Sequence, residues 1–296
     1  MSVRQTIKRH YKIISCLKRR PMSFDELQDD MLLDPDSIED QLIKSQRTLQ
    51  RDIKDIETIY GIVIVADRSS GKNYIEENTE NTHSQRLRES FDLINAIRLS
   101  KSLGNSLVFE ERKSLGTHHM SGLLHSVQNS LKVKFDYHKF YDATDSKREV
   151  MPIALKEARN RWYLIAKDVD NIIKNFALDR IMSLLITEIK FKPIGYNVHQ
   201  EFKYSFGIIN GTDEKPINVT LSFTAREGRY IESLPLHRSQ KLISKNDKEY
   251  QFTYFVGPTY DFQMELLSYG NQVKVLEPET LRASIKRKLK EAIDLY

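Results

Sequence analysis

The chain has 296 residues, 40% of them hydrophobic and 29% charged, with a net charge of +5 and one cysteine. That length favours two or three domains of ~150 residues each, the mild charge gives nucleic-acid binding only weak support, and no apolar run approaches the ~18 residues of a membrane helix. A lone Cys16 excludes an internal disulfide and a cysteine zinc cluster. The basic start (Arg4, Lys8, Arg9, Lys12, Lys18) lacks the apolar run of a secretion signal, so the expected location is cytoplasmic.

Val3, Ile7, Tyr11, Ile14 and Leu17 recur at the three-to-four spacing of one amphipathic helix, which Pro21 ends and which places Cys16 in the core. Ser23, three residues before Glu26, forms a capping box that opens a second helix through Leu27 and Leu32. Asp34-Pro35-Asp36 breaks the pattern, leaving a loop or a short inserted helix up to Asp40. A third helix follows, with Ser45 as N-cap and Leu49, Ile53 and Ile56 as its apolar stripe. Ile62-Val63-Ile64-Val65 and Lys72-Asn73-Tyr74-Ile75 then read as strands around a Ser69-Ser70-Gly71 turn. Three helices and a hairpin predict a winged helix-turn-helix over residues 1–78, although the link between its second and third helices is about ten residues longer than a minimal turn of three or four.

Glu76 to His83 is polar and reads as a linker. From Ser84, the positions Leu87, Phe91, Ile94, Ile97 and Leu103 form a stripe that must be buried against something. A further helix carries Met120, Leu123, Leu124, Val127 and Leu131. These stripes either pack on each other or form a dimer interface, and residues 79–129 are assigned to this connecting and dimerisation region. His118-His119 reads as a loop and not as a metal site, because adjacent helical residues diverge by about 100°.

Between Arg161 and Leu185 the aromatic and aliphatic runs break at Asp168, Asp170 and Asn171, the pattern of a buried hairpin. Trp162, Leu164 and Ala166 fall on one face of its first strand, with Trp162 in the core, and Arg161, Tyr163, Ile165 and Lys167 on the other. Trp162-Tyr163-Leu164 and Phe176-Ala177-Leu178-Asp179-Arg180-Ile181, with Phe135-Asp136-Tyr137 and Arg148-Glu149-Val150-Met151-Pro152 upstream, resemble the WYL domain. The set of four motifs is specific where a bare triplet is not. The resemblance implies a small Sm-like β-barrel, residues 130–195, that senses nucleic acid or a nucleotide. Arg47-Thr48-Leu49-Gln50-Arg51-Asp52, Tyr60-Gly61 and Tyr74-Ile75 likewise resemble the N-terminal DNA-binding domain of bacterial WYL regulators.

After Pro193-Ile194-Gly195 and a polar connection, residues 215–296 read as β-α-β-β-α-β, a ferredoxin-like split motif. Its strands are Ile217 to Phe223, Gln240 to Ser244, Gln251 to Val256 and Gln272 to Leu276; its helices are Ala225 to Leu234 and Tyr260 to Tyr269. Pro278 opens a terminal helix at the first-turn position. Leu266-Leu267-Ser268-Tyr269-Gly270 and Val275-Leu276-Glu277-Pro278 resemble the extension common after WYL domains. The fold class expected for the whole is α+β multidomain.

Candidate site residues follow from this order. Gln46, Arg47, Thr48, Gln50, Arg51 and Lys54 lie on the third helix, where arginine or glutamine can pair bidentately with guanine or adenine edges. A solvated face with Arg51 paired to Asp55 is the competing reading. Arg68 and Lys72 flank the hairpin turn, within reach of a phosphate or the minor groove. Tyr137, Arg148, Tyr163 and Arg180 combine stacking rings with guanidinium donors suited to a phosphate-bearing, base-bearing ligand, unless both tyrosines are core and Arg180 pairs with Asp179 or another acid. No phosphate loop, zinc-protease motif or nucleophile elbow occurs, so no catalytic residue, metal or cofactor is expected.

The sequence therefore predicts a homodimeric, sequence-specific transcription regulator, expected to be bacterial, that binds a double-stranded DNA operator and a nucleic-acid or nucleotide effector and no membrane. Dimerisation follows from half-site logic, since one recognition helix supplies too little specificity alone. The alternative is a ligand-binding accessory protein that tunes an enzyme partner without reading an operator. A basic Arg47 to Lys54 face discriminates the two, because an accessory protein gains nothing from it.

Overall fold

Helix α1 (Val3–Arg19) starts the fold, and α2 (Phe24–Leu32) follows after a four-residue break at Pro21. These coordinates come from a computed structural model that describes residues 3–33, 45–76, 82–100, 108, 110–111, 114–141, 143–210 and 215–296. The acidic stretch after Asp34 and the position Leu103 lie outside them. The chain divides into two units, Met1–Glu111 and Arg112–Tyr296.

In the first unit the capping box forms as expected. The Glu26 N–H donates to Ser23 Oγ at 3.2 Å, and the Ser23 N–H donates to Glu26 Oε2 at 2.8 Å, satisfying two of the donors that a helix start leaves open. Helix α3 (Gln46–Tyr60) is capped by Ser45 and stopped by Gly61 in the left-handed region at φ +65°, where glycine carries no steric penalty. The hairpin β1 (Ile64–Asp67) and β2 (Lys72–Ile75) pairs Ile64 with Ile75 and Asp67 with Lys72. Its first strand begins two residues later than the sequence predicts, because Ile62 is already buried in the core before pairing starts. Met22 exchanges both backbone hydrogen bonds with Asn73, at 3.0 and 2.7 Å, which ties the hairpin to the α1–α2 break.

Leu17, Met22, Leu27, Met31, Leu49, Ile56 and Ile62 form this unit's core. Helix α1 buries Ile14, Cys16 and Leu17 as expected, but its inward face is wider than the predicted stripe: Arg9, His10 and Ile13 also point inward, while Ile7 is 43% exposed. Arg9 meets a polar partner on α3, described below. Helix α4 (Thr82–Ser100) buries Phe91, which stacks on Tyr11 at 4.6 Å and meets Tyr60 edge-on at 5.3 Å. The expected stripe is only partly used within the unit, since Ile94 and Ile97 remain exposed.

The second unit opens with a turn at Thr117–His119 and helix α5 (Met120–Asn129). Five strands follow: β3 (Leu131–Lys139), β4 (Thr144–Ala158), β5 (Arg161–Asp168), β6 (Ile173–Ala177) and β7 (Ile181–Lys190), hydrogen-bonded in the order β6-β5-β4-β3-β7. Helix α5 packs on this sheet through fully buried Leu123, so it belongs to the sheet's core and not to the connecting region expected for it. The long β4 pairs with β3 through its first half and with β5 through its second, with a bulge between Pro152 and Ala154. A bulge bends a sheet, but among the described residues no pairing joins β6 to β7. The sheet is open where a closed barrel was expected.

Helix α6 (Val198–Glu201) leads to the final layer: β8 (Ile217–Thr224), α7 (Ala225–Ser233), β9 (Lys241–Lys245), β10 (Glu249–Val256), α8 (Tyr260–Ser268), β11 (Val273–Glu277) and α9 (Glu279–Ile293). The strand order β11-β8-β10-β9 is antiparallel throughout, the arrangement of a split β-α-β-β-α-β motif. Pro278 stands at the N-cap, one place before the predicted first turn. Arg159 links the two sheets, pairing with Glu265 at 2.8 Å and donating to the Asp261 carbonyl at 3.0 Å.

Candidate functional site

On α3 the buried positions are Leu49, Asp52 and Ile56, and the opposite side presents Gln46, Arg47, Gln50, Arg51 and Lys54, all exposed. Arg47, Gln50, Arg51 and Lys54 follow the i, i+3, i+4, i+7 spacing of one helix face. Among the described residues none of these three cations has an ion pair, so the expected competing pair between Arg51 and Asp55 is not formed. Thr48 is half-buried and belongs to the cap: its N–H donates to Ser45 Oγ at 3.2 Å and its hydroxyl lies 3.1 Å from the same oxygen.

The hairpin turn is held by Asp67, whose carboxylate accepts from the Ser69 amide at 2.9 Å and the Ser70 hydroxyl at 2.6 Å. Those bonds, with the Ser70 hydroxyl the largest influence, hold it at about 2. Gly71 closes the turn at φ +67°. Arg68 is exposed at the tip, whereas Lys72 is half-buried and pairs with Glu26 Oε1 at 3.3 Å. Glu26 also accepts from Arg20 at 2.9 Å. Its bond from the Ser23 amide, then the Arg20 contact, bring it to about 2. Arg20, Pro21, Ala66, Asp67, Arg68, Ser70, Lys72 and Tyr74 line a cleft of about 780 Å³.

Beneath α3 lies a polar cluster that the sequence did not single out. Arg9 forks onto Asp52, with one terminal amine donating to Oδ1 at 2.8 Å; both side chains are essentially solvent-free. Burial raises the Asp52 carboxyl, but the Arg9 contacts outweigh it and hold the group below its ordinary range. This ion pair places a charged side chain on the buried face of α1. The one local signal was the polar pair Arg9-His10 lying between the apolar positions Ile7 and Tyr11. Cys16 is buried as expected, with its thiol 2.9 Å from Asp30 Oδ2; burial first, then that contact, push it up to about 11.

In the second unit Tyr137 is 7% exposed, and its hydroxyl accepts from the Ala177 N–H at 3.1 Å. Arg180 lies between two rings, its guanidinium carbon 4.6 Å from the Tyr137 centroid and 4.5 Å from Phe140. Its Nε donates to the His138 carbonyl at 2.8 Å. Asp179 pairs instead with Arg161, at 3.1 Å, so the structural partner expected for Arg180 is not used. Arg148 sits opposite Phe135 in register, hence on the core face with Tyr137, and its Nε is buried without a hydrogen-bond partner among the described residues. Tyr163 is separated from this group: it faces away from Leu164, beside Lys156 and Ala177 in register. Trp162 packs against the core as expected but is only half-buried.

Gly116, at φ +69°, allows the segment before α5 to cross the Leu178–Arg180 turn, since a Cβ there would meet the Leu178 carbonyl carbon at 2.3 Å. The His118 and His119 rings do touch, with centroids 3.9 Å apart, and His119 Nε2 donates to the Ile181 carbonyl at 3.0 Å. Burial lowers the His119 pKa.

Two domain families match this chain, the WYL domain over residues 118–186 and the WCX domain over residues 215–293. The chain thus carries a WYL domain that takes in α5 and the five-stranded sheet, followed by a WCX domain on the split motif. Among solved structures it is similar to the proteasome accessory factor B/C (PafBC) of Arthrobacter aurescens at 18% identity, over 98% of this chain and 47% of that one, with a TM-score of 0.38. The chain therefore spans about half the length of that protein. A CRISPR Cas-related protein is similar at 11% identity over 99% of this chain and 84% of that one, with a TM-score of 0.40. No curated protein matches. No helix among the described residues is long and apolar enough to cross a membrane.

Proposed function

We propose that this chain is a transcription regulator in which residues 1–78 form a winged helix-turn-helix that reads a DNA operator as a homodimer, and in which the WYL domain senses a nucleic-acid or nucleotide effector. It acts by binding and catalyses no reaction. The observation that carries this reading is the exposed stripe of Arg47, Gln50, Arg51 and Lys54 on α3, unpaired among the described residues, which is followed in the chain by a hairpin that bears Arg68 and Lys72. Free guanidinium and amide groups on the first turns of a helix have the reach to pair with base edges, and the hairpin cations supply sequence-independent phosphate contacts.

The effector site centres on Arg180, clamped by Tyr137 and Phe140, with Arg148 on the same face of the sheet. Two guanidinium groups without acidic partners among the described residues favour an anionic ligand. Tyr163 is dropped from this site because its face is the opposite one. The test is selection from a random pool of DNA duplexes by the purified chain. A palindromic motif supports a dimeric operator reader, and recovery of no motif overturns it.

A further inference from the structure

The buried side of α3 contains chemistry that DNA reading does not use. His10 on α1 is 1% exposed, and neither of its ring nitrogens has a hydrogen-bond partner among the described residues. Its Nε2 stands 3.6 Å from Asp52 Oδ1, too far for a hydrogen bond. Asp55, one turn further along α3 and half-buried, supplies a third donor, so that one donor atom from each residue lies within 4.8 Å of the others. Folded proteins rarely leave buried polar atoms unpaired.

We propose that His10, Asp52 and Asp55 bind a divalent transition-metal ion of zinc type, which clamps α1 to α3. Zinc–nitrogen and zinc–oxygen bonds of about 2.0–2.2 Å at tetrahedral angles put ligand atoms ~3.4 Å apart, close to the 3.6 Å between His10 and Asp52. A rotation of the half-buried Asp55 side chain closes the remaining edges. One imidazole and two carboxylates suit zinc, cobalt or nickel, whereas calcium requires six to eight oxygens.

Arg9 is the objection to be met, since it donates to both Asp52 oxygens. Each carboxylate oxygen has two lone pairs, so Oδ1 keeps one for the ion while Arg9 orients the group from behind. Two carboxylates, one guanidinium and a neutral imidazole sum to −1, which attracts a cation. The Tyr60 ring, edge-on to His10 at 5.9 Å, closes one side of the site. Because Asp52 and Asp55 alternate along α3 with Arg51 and Lys54, the ion would also fix the helix that presents the proposed DNA contacts; that consequence, unlike the site itself, rests on the DNA-binding reading.

The test is titration of the full chain, stripped with a chelator, with cobalt(II) followed by visible absorption and with zinc(II) followed by thermal unfolding. One equivalent of cobalt should give tetrahedral d–d bands, and free zinc at about 100 times its Kd should lower the unfolding constant of the first unit ~100-fold. Asp55→Asn, which leaves the Arg9–Asp52 pair untouched, and His10→Gln should each abolish both signals, with circular dichroism checking that the variants fold. Absence of both signals in the unaltered chain, or their persistence in Asp55→Asn, overturns the site. Binding to a random duplex, measured with and without zinc, separates the two readings: a chain that takes the ion but binds no DNA keeps this site and loses the regulator proposal.

Discussion

Arg47 and Arg180 carry the same guanidinium and are held in opposite ways. On α3 the cations are exposed, without ion pairs among the described residues, and stand on a helix face whose reverse side makes the core. In the WYL sheet Arg180 is sandwiched between Tyr137 and Phe140 and tethered through its Nε to the His138 carbonyl. A free cation contributes affinity to any polyanion through counterion release. A pinned guanidinium has already lost its rotational freedom, so it presents a fork of fixed direction and selects ligand geometry. The first arrangement suits a long, repetitive partner searched by sliding; the second suits a discrete small ligand.

The largest expected effect falls beneath α3 and tests whether that display depends on its buried foundation. Asp52→Ala breaks the buried ion pair by removing its carboxylate, a loss of ~3–5 kcal/mol. The one tryptophan, Trp162, lies in the second unit. In urea, far-ultraviolet circular dichroism should therefore show an early transition that tryptophan fluorescence does not follow. Coincident transitions would mean that the units do not unfold separately.

Next in size are the displayed cations. Arg47→Ala or Arg51→Ala should cost ~1–3 kcal/mol on a selected operator and much less on random duplex, whereas Lys72→Ala should weaken both alike and reduce the salt slope by ~1. Equal losses on both DNAs for all three variants would show that α3 reads no base.

For the pinned side, Arg148→Ala combined with Arg180→Ala should leave operator binding intact and remove the response to a short single-stranded oligonucleotide or ATP, a coupling of about 5–150-fold. A double variant that still responds fully would make these arginines structural. Tyr137→Phe removes the acceptor for the Ala177 N–H and should cost ~1 kcal/mol, read by Trp162 fluorescence.

The smallest effect is acid sensitivity of the first unit. Glu26 and Asp67 are both held at about 2, below the ~4 of an unfolded carboxylate. A depressed folded value means that their contribution is complete above pH ~4 and disappears as pH falls toward 2. Glu26→Gln with Asp67→Asn should flatten the unit's acid-denaturation profile in that window, and an unchanged profile would assign the acid sensitivity to other carboxylates.

Much of this architecture was legible along the chain because its determinants are local. The Ser23 to Glu26 capping box, the Ser45 cap and the β-α-β-β-α-β order each depend on residues a few positions apart, and periodicity reports them directly. The WYL motifs were equally visible as words, and the α3 display followed from the spacing of Leu49, Ile53 and Ile56. Tertiary structure alone decided the rest. The burial of Arg9 on α1 depends on its meeting Asp52, 43 residues away, and helical spacing carries no information about such a partner. The separation of Tyr163 from Tyr137 and Arg148 is a matter of strand register, the open sheet is a matter of which edges pair, and the choice of Arg161 over Arg180 as the partner of Asp179 is a matter of side-chain reach. Sequence specifies which groups exist and which helix or strand carries them; long-range packing and charge pairing determine which of them meet.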